Sequence, residues 1–284
     1  REIAANVFVE TNYERVTIAA VLTGDGWVCI DAPSYPADAR AWLAALQTIS
    51  DRPVRYLICT DHHHDRIVTS GLFGAPLVMH AAAASRLLTL ERSDLAEAAQ
   101  SLSKDERVIA QIMNARIGRP HISYSDALTL FTGEWEFELV SQPSATAGST
   151  WVRLPAERIV FVGDSVCLDR HPFIGDGPAS AWLEALERLQ DGAYAGWTVV
   201  GGRNGVVQPG ALAPLRDYLR AAQAQVEGLH AAGGQRADVG ALVPEFVERF
   251  PCPVGQEAQV EQHVRAGLEA LFDGLVGPGG ERPG

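Results

Sequence analysis

The sequence of 284 residues predicts an α/β fold, two mixed β-sheets packed together with helices outside. Three observations predict it. Strand-like segments open the chain, helix and strand then alternate through its middle, and strands return before a closing run of helices. Pro and Gly punctuate the chain evenly, so no linker stands out and a single domain is expected over residues 1–276. No internal repeat occurs at the periods of about 20 to 50 residues that mark solenoids.

Apolar and polar residues alternate over Val7 to Glu10, Arg15 to Leu22 and Trp27 to Asp31, and Gly24-Asp25-Gly26 between the last two gives a hairpin signature. A helix is expected from Ala37 to Ile49. An apolar strand, Val54 to Cys59, then runs into the polar cluster Thr60 to Arg66. Next come a short strand from Leu77 to His80, an Ala-rich helix starting at Ala81, and a charged, mostly helical stretch to about Arg116. Strands return at Ala127 to Leu130, Trp135 to Val140, Thr150 to Arg153 and Ile159 to Val162. Trp182, Leu183, Leu186 and Leu189 share one helical face that stops at Asp191-Gly192. After a last strand, Trp197 to Val200, the chain turns helical again and closes on a helix near residues 256 to 275. There Val260, Val264, Leu268, Leu271, Phe272 and Leu275 form an apolar stripe suited to the core or to a second subunit, so a homo-oligomer is open. The Gly/Pro-rich tail 277–284 is expected to be disordered.

Charge narrows the partners. Asp and Glu number 35 against 23 Lys and Arg, a net charge of −12, and nucleic acid or an anionic membrane would be repelled. A small molecule is the expected partner. No run of apolar residues is long enough to cross a bilayer, and Arg1-Glu2-Ile3 does not begin a signal peptide. The first residue is not Met, so a trimmed upstream segment is expected. Cys29, Cys59, Cys167 and Cys252 stand singly, as buried thiols of a reducing compartment do, and the cytoplasm is the expected location. Phosphate-binding, dinucleotide and serine-hydrolase loops are absent, and the sole lysine, Lys104, lies in a charged helical stretch.

One constellation remains. Thr60-Asp61-His62-His63-His64-Asp65-Arg66 places three imidazoles and two carboxylates on a strand-end loop. Imidazole and carboxylate are ligands of zinc, iron or manganese, and alternate residues of an extended loop can aim two side chains at one ion. The competing reading is a solvated loop that binds metal adventitiously.

At this point the sequence resembles the metallo-β-lactamase superfamily, whose hallmark Thr-His-x-His-x-Asp-His ends such a strand: Thr60, His63 and Asp65 fall in register. Further landmarks follow in family order. Trp27 to Asp31 looks like the second hairpin strand, and Asp31-Ala32-Pro33 stands where the family has an Asp-Thr-Gly-like turn. Ser144 to Thr150 resembles its Gly-His-Thr-Pro-Gly-Ser motif, and Phe161-Val162-Gly163-Asp164 resembles the strand ending in its bridging aspartate. Arg170-His171-Pro172 with the Trp182 helix resembles the segment after it, and Val200 to Val206 stands at its Pro-Gly-His-Gly-Pro turn. The resemblance covers roughly residues 3 to 222 and implies an αββα sandwich of two mixed β-sheets flanked by helices, with a helical insertion at about 84–120 that commonly forms a lid.

The family binds two metals with five histidines and two aspartates, and most of these positions differ here. The first histidine is Asp61, the one after the aspartate is Arg66, where some family members also carry arginine, that of the Gly-His-Thr turn is Ala145, and the last is Arg203 or Asn204. His63, Asp65 and Asp164 are retained. Alanine offers no lone pair and a guanidinium repels a cation, so the second metal position is expected to be empty. The first keeps Asp61, His63 and Asp164, a set that suits at most one Zn, Fe or Mn ion. Without any metal cofactor, the preferred expectation, Asp61, Asp65 and Asp164 would if unpaired repel and raise one another's pKa, and Arg66 and Arg203 are expected to replace the lost ions as their counter-charges.

Two functions follow from the resemblance. The first is a family fold that has lost the dinuclear centre and keeps the cleft for a small molecule, an anionic one if Arg66 and Arg203 are not already neutralised, with His171 either at the pocket mouth or packed away. The second is a mononuclear hydrolase of the ester, lactone or thioester class, with Asp65 as general base. His62 and His64 read as solvated or supporting residues, His64 being placed to orient Asp65. His80 reads as structural, His121 as surface, and Trp151 and Trp182 as core.

Overall fold

Alternation along the strands decides the architecture, because the inner strands of the first sheet bury two different faces. A computed structural model describes residues 1–252 and 255–276; the tail expected to be disordered lies outside them. Seven strands, β1 (Glu2–Ala4), β2 (Val7–Glu10), β3 (Ile18–Thr23), β4 (Gly26–Ile30), β5 (Val54–Ile58), β6 (Leu77–His80) and β7 (Pro120–Tyr124), form one sheet in chain order. Pairing is antiparallel as far as β4 and parallel from β4 to β7. A six-stranded sheet combines β8 (Ala127–Thr132), β9 (Trp135–Ser141), β10 (Thr150–Leu154), β11 (Ile159–Gly163), β12 (Thr198–Gly201) and β13 (Gly205–Val207), with only β11 and β12 parallel.

Val7, Val9, Val21, Val28 and Ile30 pack against Phe137, Leu139, Val152, Leu154 and Phe161 of the second sheet, forming the core of the sandwich. The alternate residues Ile18, Ala20, Trp27, Cys29 and Leu57 face the other way. They meet Ala39, Trp42 and Leu46 of α1 (Pro36–Ile49) and Ala83, Ala84 and Leu87 of α3 (Ala81–Leu88). Pro36 at the start of α1 has its φ preset for a helix, and Asp38 in the first turn complements the helix dipole. The fold is therefore α/β, two mixed sheets flanked by helices, as the sequence predicts.

The chain divides into two compact units. The first, residues 1–142, 148–164 and 196–207, holds both sheets, α1, α2 (His64–Ile67), α3, α4 (Arg92–Leu102) and α5 (Glu106–Asn114). The second, residues 143–147, 165–195 and 208 onward, holds α6 (Ala179–Gln190), α7 (Ala213–Ala231), α8 (Val243–Val247) and α9 (Glu257–Val276). In it Trp182, Leu186 and Leu189 of α6 are buried. Helix α9 packs on α7 and α8 through a stripe that buries Val264, Leu268 and Phe272 but leaves Leu275 41% exposed. That stripe is used within the chain. No helix among the described residues is long and apolar enough to cross a membrane.

Several expectations are corrected. The strand expected from Arg15 begins only at Ile18, because Arg15 adopts a left-handed φ of 74° that strands do not hold. The helical insertion stops at Asn114, and β7 precedes the strand expected at Ala127. Strand β13 interrupts the expected passage from Val200 into helix. Cys29, Cys59 and Cys167 are buried free thiols, whereas Cys252 is half-buried.

Candidate functional site

Adjacent parallel strands end on the same side of a sheet, and two such pairs assemble the site. Ile30 of β4 is in register with Ile58 of β5, so Asp31 and Thr60 emerge together. Gly163 of β11 is in register with Gly201 of β12, which delivers Asp164 beside Arg203. Gly163 has a left-handed φ of 54°, and a Cβ on it would lie 2.4 Å from Thr60 Oγ1. A Cβ on Gly202 would lie 2.7 Å from Asp164 Oδ1. These two glycines allow the strand ends to close on one another.

The residues after β5 do not form the expected extended loop. His64–Ile67 make one helical turn, α2, which turns the Arg66 side chain back into the protein. Its guanidinium is fully buried. Arg66 Nη1 donates to Asp31 Oδ2 at 2.8 Å and to Thr60 Oγ1 at 3.1 Å. Nε lies 3.0 Å from Asp61 Oδ1, and Nη2 donates to Asp164 Oδ1 through a short bond. Asp31, held at φ 58°, also accepts from the Thr60 amide at 2.8 Å and the Thr60 hydroxyl at 2.7 Å. Arg203 Nη2 reaches Asp65 Oδ2 at 2.6 Å and Asp164 Oδ2 at 3.0 Å, and its Nη1 donates to the Arg15 carbonyl. His63 Nδ1 sits 3.0 Å from Asp164 Oδ2 and 3.4 Å from Asp61 Oδ2.

The carboxylates do act to raise one another, but Arg66 and Arg203 pair with them as counter-charges, so the upward shift expected of unpaired carboxylates does not result for Asp61 and Asp164. Burial does act to raise Asp61, but Arg66 and then His63 outweigh it and hold the carboxyl at about 2. For Asp164, burial is outweighed by Arg203, Arg66 and His63, leaving it well below the usual range. Only Asp31 moves up, to about 6, because its burial exceeds what Arg66 returns. Burial disfavours the His63 cation, yet Asp61 and Asp164 raise it well above the ordinary histidine value. Four carboxyl groups, two guanidiniums and one imidazole thus share the cluster.

Asp61, His63 and Asp164 each offer one ligand atom, all within 4.8 Å of one another, the makings of a partial metal-binding group. The structure thus brings Asp61, His63, Asp65, Arg66, Asp164 and Arg203 together. His171 and Ala145 belong to the second unit. The His171 ring packs edge-on against Tyr218 and Phe250, and burial lowers its pKa. His80 caps α3 by accepting from the Ala82 amide and is 2.6 Å from the Ser125 carbonyl. The exposed ring of His121 takes the Leu77 amide at 3.1 Å, and Trp151 and Trp182 are buried.

Sequence reasoning missed Asp31 as a site residue. Its signal was the Asp-Ala-Pro turn after an apolar strand, read only as a landmark.

The sequence model of the metallo-beta-lactamase superfamily matches residues 14–195. No curated protein sequence matches the chain. Among solved structures, a metallo-beta-lactamase from Pontibacter korlensis aligns with TM-score 0.60 at 20% identity, covering 78% of this chain and 97% of that one. A metallo-beta-lactamase family protein from Thermus thermophilus aligns with TM-score 0.65 at 17% identity, over 95% and 93% of the two chains. A beta-lactamase domain protein from Burkholderia ambifaria gives TM-score 0.68 at 15% identity, over 96% and 87%. At such identities the likeness speaks for the fold alone.

Proposed function

Since the chain belongs to the metallo-β-lactamase superfamily, we propose that its salt-bridge network stands where other members hold two metal ions, and that the rim of this network binds a small molecule. One observation carries the reading: the fully buried Arg66 guanidinium lies among Asp31, Asp61 and Asp164. The residues do not fit a dinuclear centre. Arg66 and Arg203 occupy two ligand positions and already engage the retained carboxylates, and a permanently protonated guanidinium repels a second cation. Conventional two-zinc hydrolysis is therefore not assigned to this protein.

Asp65 and Arg203 keep 12% and 14% of their side chains exposed and His63 keeps 18%, so the network has a rim that a ligand can touch. Neither guanidinium is left over to clamp an anion, since both already engage carboxylates. The anionic ligand expected from Arg66 and Arg203 is not carried forward; a neutral or cationic small molecule suits the rim better. Free cysteines suit a reducing compartment such as the cytoplasm.

A second reading rests on the Asp61, His63 and Asp164 group. One zinc, iron or manganese ion held there would serve as a Lewis acid, with Asp65 as general base of a hydrolase. Zn²⁺, Fe²⁺ or Mn²⁺ added to the purified protein, assayed on esters, lactones and thioesters, separates the two. The first reading expects no hydrolysis and an unchanged Tm. Metal-dependent hydrolysis that His63→Ala abolishes establishes the second. A thermal-shift screen of small molecules then tests the rim, since a ligand of the folded form raises Tm.

A further inference from the structure

Helix α5 uses one face for packing. Ile112 is buried with Val68, Ala99 and Leu102, and Val108, Ile109 and Met113 pack half-buried around them. Ala110, Gln111 and Asn114 point off that face and stay exposed. Between these residues and α1 lies a cavity of about 270 Å³. Helix α1 lines it with Pro36 and Arg40, one turn apart, and the 3₁₀ turn Ser70–Phe73 supplies Leu72. All of these residues belong to the first unit, and none is part of the Arg66 network or its rim.

The lining selects for one kind of ligand. Pro36, Leu72, Ala110 and Ala115 offer only apolar side chains. No Asp or Glu lines the cavity, in a chain where such residues number 35 against 23 Lys and Arg. Arg40 makes no hydrogen bond or ion pair with any described residue, and its exposed guanidinium is open to a ligand. Pro36 begins α1 and Asn114 ends α5, so the positive end of one helix dipole meets the negative end of the other and the two largely offset. Arg40 therefore decides the charge preference. Its planar fork matches a carboxylate in two parallel hydrogen bonds, and the Gln111 amide offers a further donor. Size limits the rest of the ligand. An apolar cavity of about 150 Å³ takes benzene, so this one holds a chain of about six carbons with its head group.

We propose that this cavity binds a small amphipathic monocarboxylate, its head group on Arg40 and its apolar body along Pro36, Leu72 and Ala110. Its preference is opposite to that of the rim: the lone cation draws in an anion and repels an ammonium ion. Head group and body must act together. An exposed ion pair by itself adds little, whereas each buried methylene removes apolar surface from water.

Calorimetric titration of the full chain with hexanoate, acetate and hexylammonium tests the proposal. Hexanoate is expected to bind saturably. Acetate keeps the charge but lacks the body, and is expected to bind about tenfold more weakly or worse. Arg40→Gln is expected to weaken hexanoate about fivefold. Ala110→Trp, which fills the cavity from an exposed helix position, is expected to abolish hexanoate binding. Both substitutions lie at exposed positions, so each variant is expected to keep the parent Tm. Arg55→Gln removes another exposed cation, at the start of β5, and is expected to bind hexanoate as the parent does. The proposal is overturned if hexanoate does not bind saturably, if Arg40→Gln or Ala110→Trp binds it as tightly as the parent, or if hexylammonium competes with it for the same site.

Discussion

Arg66 and Arg236 each sit among carboxylates, one inside the first unit and the other on the surface of the second. Arg66 is fully buried with Asp31, Asp61 and Asp164 around it. Arg236, 55% exposed, lies 2.7 Å from Glu269 and 3.0 Å from Asp273. The distances are alike and the surroundings are not. Water would hydrate the Arg236 partners nearly as well if the contact broke, so that contact adds little. Around Arg66 no water replaces a lost partner, and removing the cation would leave buried charge uncompensated. Burial, more than geometry, turns an ion pair into a structural requirement.

Arg66→Ala is the strongest way to break this contrast, and a loss of about 3–5 kcal/mol is expected in urea unfolding. A variant as stable as the parent would show that the buried network does not hold the strand ends together. The same substitution sharpens the comparison chemically. It frees Asp61 and Asp164 of their shared cation, so Zn²⁺ or Mn²⁺ should raise the Tm of Arg66→Ala and leave that of the parent unchanged. No metal response in a folded variant would mean that Arg66 is not what excludes the ion.

Titration probes the network more gently. Asp61, depressed to about 2, contributes stability that is present above its unfolded value of about 4 and lost as pH falls toward about 2. Asp164 acts with the same sign. Asp31, raised to about 6, acts oppositely, its contribution being lost as pH rises from about 4 to about 6. His63 is raised as well, so its contribution is complete below about 6.5 and declines as pH climbs through its folded value. Urea midpoints of His63→Gln are therefore expected to fall less than the parent's on the alkaline side. Equal alkaline slopes would show that His63 is not held by Asp61 and Asp164. The smallest effect belongs to Arg236→Ala, for which no measurable change in urea midpoint is expected.

Long apolar strands such as Val54 to Ile58 and amphipathic helices such as α1 were legible because many residues vote for one period. Strands β1 and β13 were not, since three residues fix no period, and Pro120 at the head of β7 argues against a strand. At the site, the residue types at Asp61, Arg66 and Arg203 could be read for what they cannot coordinate. The direction of the pKa shifts could not, because it depends on one helical turn, α2, placing Arg66 between carboxylates that lie far apart in sequence. Asp31 stayed hidden for the same reason: its left-handed backbone and its bonds to Thr60 and Arg66 exist only after β4 and β5 align.

Metal analysis of the protein purified without chelators and dialysed tests most directly whether Arg66 and Arg203 have taken the place of the ions. Only trace zinc, iron and manganese should remain with the chain. Near-stoichiometric metal that stays bound through dialysis would contradict the account.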